Sequence, residues 1–238
     1  MQNNDTIVVA NWLRDKGFDL LAIMDPMKWS STLTQVFASL NINIPGDSRV
    51  VLIGSAGPRL WDIVSNDYWQ NQDPIDQYSI RSAEELVDRM WKGESIQWLY
   101  PGPKPVPLQR LSRFAGWSHQ SLLGLDIHPT FGTWFACRAA FIIELPIPCT
   151  PRLESSSPCD DCLDKPCRTQ CPSGAVRERN NFGLSECGSY RVADESRCSH
   201  QCIARLSCPV GSKWRYADDQ LAYHGALSLA AIKSLYAA

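Results

Sequence analysis

The sequence predicts an α+β fold with a cysteine-rich module inserted before a C-terminal helix. Helical and strand-like apolar patterns both occur before residue 148, which is typical of a mixed domain. Eight of the ten cysteines then lie between residues 159 and 208, and the tail returns to a helical pattern. We therefore expect a body over residues 1–150, a module over 151–215, and a helix over 216–238 that packs on the body.

The composition is that of an ordinary globular protein. The 238 residues are 44% hydrophobic, enough for a core without staples, and the net charge of -2 gives no overall attraction for nucleic acid or anionic membrane. We expect neither a signal peptide nor a membrane span, because the N-terminal residues lack a basic region and no window of about 18 apolar residues occurs. A cytoplasmic location follows, where clustered cysteines bind metal more often than they form disulfides.

The elements of the body are predicted from residues that begin or end helices and from the periodicity of apolar residues. Residues 7–24 are predicted to form an amphipathic helix that ends before Asp25-Pro26. Residues 48–57 predict a buried strand that enters a loop of small residues. Residues 82–93 predict a second helix, with Ser82 as its N-cap and Gly93 as its stop.

Further along, a proline-rich connector over 100–107 precedes a predicted helix over 106–117. Residues 122–147 predict two strands joined by a turn around 129–132. The tail over 218–238 predicts the final helix.

The cysteines form two related motifs. The first is Cys159-x2-Cys162-x4-Cys167-x3-Cys171-Pro172, and the second is Cys187 followed by Cys198-x3-Cys202-x5-Cys208-Pro209. In bacterial two-cluster ferredoxins the cysteine before proline serves the other cluster. Applied here, this exchange predicts two [4Fe–4S] clusters with the ligand sets Cys159, Cys162, Cys167 and Cys208, and Cys171, Cys187, Cys198 and Cys202.

Structural zinc is the alternative, since C-x2-C pairs also suit a tetrahedral ion. The first motif carries two more residues than the ferredoxin spacing, but the two reciprocal Cys-Pro ends favour iron–sulfur because zinc does not need them. Cys137 and Cys149 lie outside the module and are expected to be small buried hydrophobic residues.

The segment "IHPTFGTWFACR", Ile127 to Arg138, resembles the CblC (MMACHC) family of cobalamin-processing proteins, whose pattern is IHPxFGxWFAxR. Shorter pieces agree in the same order, at residues 51–62, 73–77, 115–120 and 220–235. The resemblance implies a nitroreductase-like body that binds cobalamin. It places seven residues toward the corrin ring: Gln120, Ser121, His128, Phe131, Trp134, Cys137 and Arg138.

Two of these residues have simpler interpretations. Arg138 would bind the amide or phosphate periphery of cobalamin, and the alternative is a surface salt bridge. His128 could ligate cobalt, and the alternative is a hydrogen-bonded histidine in a turn.

The cysteine module is similar to that of epoxyqueuosine reductases and reductive dehalogenases, which are cobalamin enzymes. The sequence departs from the epoxyqueuosine reductases where their acid-bearing Asp-x-x-Pro-x-x-Glu-Arg run falls, because residues 102–110 are "GPKPVPLQR". "SHQSL" at 118–122 also replaces their Gly-Lys-Asn-Thr run. These departures argue against a tRNA substrate.

Together the resemblances imply an oxidoreductase that binds cobalamin with its lower base displaced and reduces it or removes its upper ligand. Its expected partners are a corrinoid and an electron donor such as a ferredoxin or flavodoxin, with no nucleic acid or membrane. Two alternatives stay open. One is a cobalamin-dependent reductase of another substrate, of epoxyqueuosine reductase or reductive dehalogenase type, which needs an acid or tyrosine near cobalt. Sequence does not place its candidates, which are Tyr68, Tyr78, Tyr100 and Asp126. The other is a ferredoxin-like electron carrier or a zinc-stabilised binding module without a corrinoid.

Overall fold

The computed structural model describes residues 3–67 and 73–236, which fall into two compact units. The first comprises Met1–Trp117 and Phe135–Glu154, and the second comprises Ser118–Trp134 and Ser155–Ala238. The mixed helix-and-sheet class is confirmed. The boundaries expected at residues 150 and 215 stay a prediction, and the compact units divide the chain differently because residues 118–134 group with the cysteine-rich segment.

The described residues form six strands and nine α-helices. The strands are β1 (Leu20–Met24), β2 (Arg49–Ala56), β3 (Gln97–Tyr100), β4 (His119–Gln120), β5 (Asp126–Ile127) and β6 (Phe135–Ile143). The helices are α1 (Asn3–Asp15), α2 (Ser31–Ser39), α3 (Arg59–Asp67), α4 (Pro74–Met90), α5 (Leu108–Phe114), α6 (Pro166–Thr169), α7 (Leu184–Val192), α8 (Ile203–Leu206) and α9 (Asp218–Tyr236). None of the helices described is long and apolar enough to cross a membrane.

An antiparallel sheet in the order β1-β2-β6-β3 forms the centre of the first unit. Its middle strands contain continuous apolar runs, Val50–Ile53 and Ala139–Ile143. These runs are buried almost completely, as expected of central strands that are covered on both faces. The register of β2 on β6 shifts between Ile53 and Gly54. This irregularity lies beside Cys137, the partner of Gly54 in the ladder.

Two helix predictions in the first unit are wrong in part. The helix expected over 7–24 ends at Asp15, and Leu20–Met24 is β1, because Gly17 adopts a left-handed conformation (φ +88°) that stops the helix. Ser82 is not an N-cap, since α4 begins at Pro74 and Ser82 is buried in its interior. Gly93 follows the helix with φ +68°, as expected of a stop.

The two strands predicted over 122–147 exist but belong to different sheets. In the described chain β5 pairs with β4, whereas β6 pairs with β2 and β3. The turn between them is closed by an antiparallel bridge of His128 with Gly132.

The second unit has a small core of its own, formed by Leu122, Leu123, Val176 and Ala204. Cys167 and Cys171 pack against this core. Helix α6 packs on α8, and α7 packs on α9. The short cysteine-bearing helices are therefore held by tertiary packing, since helices of four residues are not stable alone.

One turn of the second unit depends on glycine. Gly132 has φ +61°, and a Cβ built there would lie 2.1 Å from the carbonyl oxygen of Val210. A Cβ built on Gly211, which has φ +69°, would come similarly close to the backbone of Phe131. Two backbone segments thus touch at this point, and one of them directly follows Cys208-Pro209.

Candidate cysteine centres and corrinoid-facing residues

Four thiols surround a first cavity in the second unit. Cys159, Cys162, Cys167 and Cys208 line it, together with the prolines next to three of them. Burial raises the pKa of Cys167 to about 11, and the charges of Cys208, Cys159 and Cys162 contribute in that order. Cys208 follows α8 while the other three thiols lie on or before α6, so the packing of α6 on α8 brings the set together.

Another four thiols line a second cavity of about 500 Å³: Cys171, Cys187, Cys198 and Cys202. Burial raises the pKa of Cys187, and the charges of Cys202, Cys171 and Cys198 add to the effect. Cys187 lies on α7, and Cys202 precedes α8. Each cavity is therefore lined by the four cysteines that the ferredoxin-type exchange assigns to one cluster.

The chemistry of the donor sets fits iron–sulfur clusters, since four thiolates supply one ligand for each iron of a cubane. Burial alone would raise the pKa of Cys171, but the side chain of Ser173 and the backbone N–H groups of Val176, Ser173 and Ala175 donate hydrogen bonds to it and lower its pKa. Such donors stabilise a thiolate. In the part of the chain that the structure describes, no three His, Cys, Asp or Glu side chains are close enough to hold one metal ion.

Arg191 fixes the segment that carries Cys198. From α7 its Nε donates to the carbonyl of Cys198 (3.1 Å), and its terminal nitrogens donate to Ser199 O, Gly225 O and Ser228 Oγ. Gly225 allows this approach, because a Cβ there would lie 2.0 Å from the carbonyl oxygen of His200. Helix α9 is thus joined to the wall of the second cavity.

Five of the seven predicted corrin-facing residues lie in the second unit. Gln120 is exposed on β4, while the hydroxyl of Ser121 is engaged in a turn, donating to Leu125 O and accepting from Leu123 N. Phe131 packs edge-on to Trp214 (centroids 4.8 Å apart). These contacts show how the segment is shaped.

His128 is a buried turn histidine. Its Nδ1 accepts hydrogen bonds from the backbone N–H groups of Thr130 (3.0 Å) and Phe131 (3.2 Å), so the neutral ring carries its proton on Nε2. Burial, assisted by the charge of His119, lowers the pKa of His128 to about 4. The structure therefore shows His128 as the hydrogen-bonded turn histidine that was the alternative to a cobalt ligand.

Trp134 is completely buried and lines the second cavity. The guanidinium of Arg205 lies 4.2 Å from the centre of its ring and 4.9 Å from that of Tyr216, and it donates to the carbonyl of Thr133 (2.6 Å). Sequence reasoning missed Arg205, although it lies inside the module, between Cys202 and Cys208. In the described residues, Arg205 therefore places a positive charge against the rings of Trp134 and Tyr216.

The remaining two candidates, Cys137 and Arg138, lie on β6 in the first unit. Arg138 is buried and donates from Nε to Ser55 Oγ (2.9 Å) on β2, so the surface salt bridge considered as its alternative is wrong. Burial raises the pKa of Asp76, and the charge of Arg138 partly offsets this rise. Cys137 is half-buried.

A tyrosine and a carboxylate accompany Arg138. Tyr100 Oη lies 3.5 Å from Asp76 Oδ1, and burial, followed by the charge of Asp76, raises the pKa of Tyr100. Tyr78 instead donates to Lys16 O, and buried Asp126 accepts from Ser118 Oγ (2.7 Å). Tyr68 lies outside the described residues. The motif "DPIDQ" was noted in the sequence, but its link to Tyr100 required the structure.

Comparison with solved structures identifies the fold. A CblC protein of C. elegans, described as a B12-trafficking protein, superposes over 94% of this chain and 92% of its own, with a TM-score of 0.53 and 13% identity. The fold of this chain is similar to that of CblC. An epoxyqueuosine reductase solved with a tRNA stem loop matches 89% of this chain and 66% of its own, with a TM-score of 0.58 and 12% identity.

A sequence comparison agrees with the CblC resemblance predicted from Ile127–Arg138, which is confirmed. A cyanocobalamin reductase / alkylcobalamin dealkylase of Danio rerio is 23% identical over 158 residues, which is 56% of this chain. The match spans 61% of the length of that relative. No family model matches the sequence.

Proposed function

We propose that this chain is an iron–sulfur oxidoreductase that binds cobalamin with its lower base displaced and reduces it or removes its upper ligand. The observation that carries the proposal is a CblC fold whose second unit contains two cavities, each lined by four cysteines. The name of the Danio rerio relative supports cobalamin as the substrate.

We assign the first cluster to Cys159, Cys162, Cys167 and Cys208, and the second to Cys171, Cys187, Cys198 and Cys202. When bound, such clusters supply single electrons at low potential. The surroundings suit this task, because Leu122, Leu123 and Val176 form a dry core against Cys167 and Cys171.

The reaction on the substrate is simple to balance. One electron added to cyanocobalamin reduces cobalt(III) to cobalt(II), the cobalt–carbon bond breaks, and cyanide leaves with the bonding pair. The seven corrin-facing residues named from the resemblance remain our proposed contacts. Buried Arg138, held by Ser55, keeps a fixed positive charge and spare N–H donors suited to amide or phosphate oxygens.

Anaerobic purification followed by reconstitution with iron, sulfide and hydroxocobalamin tests the proposal. We expect a brown protein with equal iron and sulfide, bleached by dithionite, and a shift of the cobalamin spectrum to the base-off form. A colourless zinc protein would refute the redox role. A brown protein that leaves the cobalamin spectrum unchanged would leave only an electron carrier.

The Tyr100–Asp76 pair favours one alternative, a cobalamin-dependent reductase of another substrate. A tyrosine with a raised pKa stays protonated and can donate a proton, which reductive removal of cyanide does not require. Tyr100→Phe distinguishes the two. Unchanged removal of cyanide from cyanocobalamin is expected under our proposal, whereas a proton-coupled reduction would slow by about 10²-fold or more.

A further inference from the structure

A basic groove lies beside the first cavity on the second unit. It has a volume of about 380 Å³, and its cationic side chains are Lys165, Arg168, Arg177 and Arg179. Only two acidic residues line it, Asp160 and Glu178, although the whole chain has a net charge of -2. The groove is therefore a local reversal of the overall charge.

The four cations differ in how they are engaged. Arg177 pairs with Glu186, and Arg179 pairs with Asp160. In the described residues Lys165 and Arg168 have no carboxylate partner, and Arg168 is exposed on α6. These two charges are available to a partner molecule.

The groove and the first cavity share a wall. Leu122, Cys159 and Lys165 line both of them. Trp134 lines the second cavity and is absent from the lining of the groove. Cys167 of the first cavity and Cys171 of the second pack on the same small core. The order through this unit is therefore groove, first cavity, second cavity, Trp134.

We infer that the basic groove is the docking surface for a small acidic one-electron carrier protein, which delivers electrons to the first cluster. The inference rests on the proposed function and adds the point of entry and the direction of transfer. A cluster held by Cys159, Cys162, Cys167 and Cys208 would gain the one electron that the carrier loses, and no atom or proton would be transferred. A second cluster, held by the other four cysteines, would accept the electron from it on the side of Trp134.

Electrostatics supports a carrier of this type. Opposite charges at a docking surface raise association rates by 10–10³-fold and make them sensitive to salt. The shared position of Cys159 allows a docked protein to bring its redox group close to the first cluster without entering the unit. A small reductant such as dithionite needs no docking surface.

Stopped-flow reduction of the reconstituted protein by reduced flavodoxin, an acidic flavoprotein, tests the inference. Arg168→Glu should lower the second-order rate constant about tenfold at low salt and flatten its salt dependence. Lys165→Gln should lower it less. Lys233→Glu makes the same change of charge on exposed Lys233 of α9 and should leave the rate unaltered. Dithionite should reduce the clusters of all variants, and the midpoint potential measured for each variant separates a changed driving force from a changed docking rate.

Two results would overturn the inference. One is flavodoxin-dependent reduction of Arg168→Glu at the rate of the unaltered protein, with clusters and cobalamin binding intact; the proposed function would then stand. The other is binding of an RNA stem loop that Arg168→Glu abolishes while flavodoxin reduction is unchanged, which would assign the groove to nucleic acid. Absence of iron after reconstitution would instead remove both the proposed function and the inference.

Discussion

Arg191 shows how much of a cysteine centre depends on a residue that is not a ligand. It binds three carbonyl oxygens and one hydroxyl with a single planar guanidinium. Lysine keeps the charge but cannot reproduce this fork. Position 191 therefore requires the planar guanidinium of arginine, and a positive charge alone is not sufficient.

Arg191→Lys should lower the free energy of unfolding by about 2 kcal/mol, since several charge-assisted hydrogen bonds are lost together. It should also reduce occupancy of the second cluster. Urea unfolding and iron analysis measure the two effects. Arg197→Lys, at an exposed position of the same segment, is the matched control and should change neither. Equal behaviour of the two variants would contradict the role given to Arg191.

His128 predicts a pH dependence of stability. Its pKa is about 4 in the folded protein, against a usual value of about 6.5, because burial disfavours its charge. The unfolded chain therefore binds the proton more tightly, so stability is full above about pH 6.5 and declines as the pH falls toward 4. We expect His128 to account for a loss of about 2 kcal/mol between pH 7 and pH 5.

Urea unfolding at the two pH values tests this. His128→Asn retains an acceptor for the turn and should show a smaller loss, by about that amount. His200→Asn removes an exposed histidine and should behave like the unaltered protein. A pH dependence that His128→Asn leaves intact would show that another group titrates.

At the scale of elements, the packing of α6 on α8 places each cysteine that precedes proline in the cavity lined mainly by the other motif. Cys208→Ser should therefore remove the first cluster, and Cys171→Ser the second. Each variant should retain about half of the iron. EPR spectra of reduced Cys162→Ser and Cys208→Ser should match, because both retain only the second cluster. Matching spectra of Cys208→Ser and Cys202→Ser would contradict the exchange.

The contact between the turn at Gly132 and the segment after Pro209 gives a second prediction. Gly132→Ala combines a left-handed conformation with a clash against Val210, so the segment that carries Cys208 must move. We expect a loss of at least about 3 kcal/mol in stability and loss of the first cluster. Gly93→Ala has a similar φ of +68° but no close backbone contact. It should cost about 1 kcal/mol, with iron unchanged; equal costs would mean that the contact is not tight.

The success of sequence reasoning varied between elements for physical reasons. Residues 48–57 were predicted as a strand because their apolar run is short and ends in small residues, and β2 confirms it. "LLAIM" was assigned to a helix because a five-residue apolar run suits either element, and only its pairing with β2 decides. Ser82 was misassigned because a serine before acidic residues resembles a cap even when the helix has already begun.

The candidate site was predictable where the signal was local. The two cysteine sets predicted from the Cys-Pro motif each line one cavity, and their role as cluster ligands stays a prediction. Arg191, Arg205 and the Tyr100–Asp76 pair were not predicted, because their contacts join positions far apart in the chain. The buried state of Arg138 was missed for the same reason, since its partner Ser55 lies on another strand.

At the scale of the whole molecule, the chain passes from one unit to the other three times, after residues 117, 134 and 154. The cysteine-rich unit takes Leu122, Leu123 and Gly132 from residues 118–134, well before its first cysteine. The module predicted over 151–215 therefore lacks half of its small core when taken alone.

A fragment of residues 151–215 should fail to assemble stable clusters, whereas the full chain should assemble both. Iron and sulfide analysis after identical anaerobic reconstitution measures this, with circular dichroism to report folding. A fragment of residues 118–238, which restores Leu122, Leu123, Gly132 and α9, is the control and should recover part of the iron. Full cluster content in the shorter fragment would show that the module is independent.

Each motif contributes its last cysteine to the cavity lined by the other motif, and this arrangement sets an order of assembly during translation. The last cysteine of the second cavity, Cys202, leaves the ribosome before Cys208, which completes the first cavity. The thiols of Cys159, Cys162 and Cys167 must therefore stay reduced while about forty further residues are translated. On the proposed function, loading of iron would therefore be a late event, completed after Cys202 and Cys208 have left the ribosome.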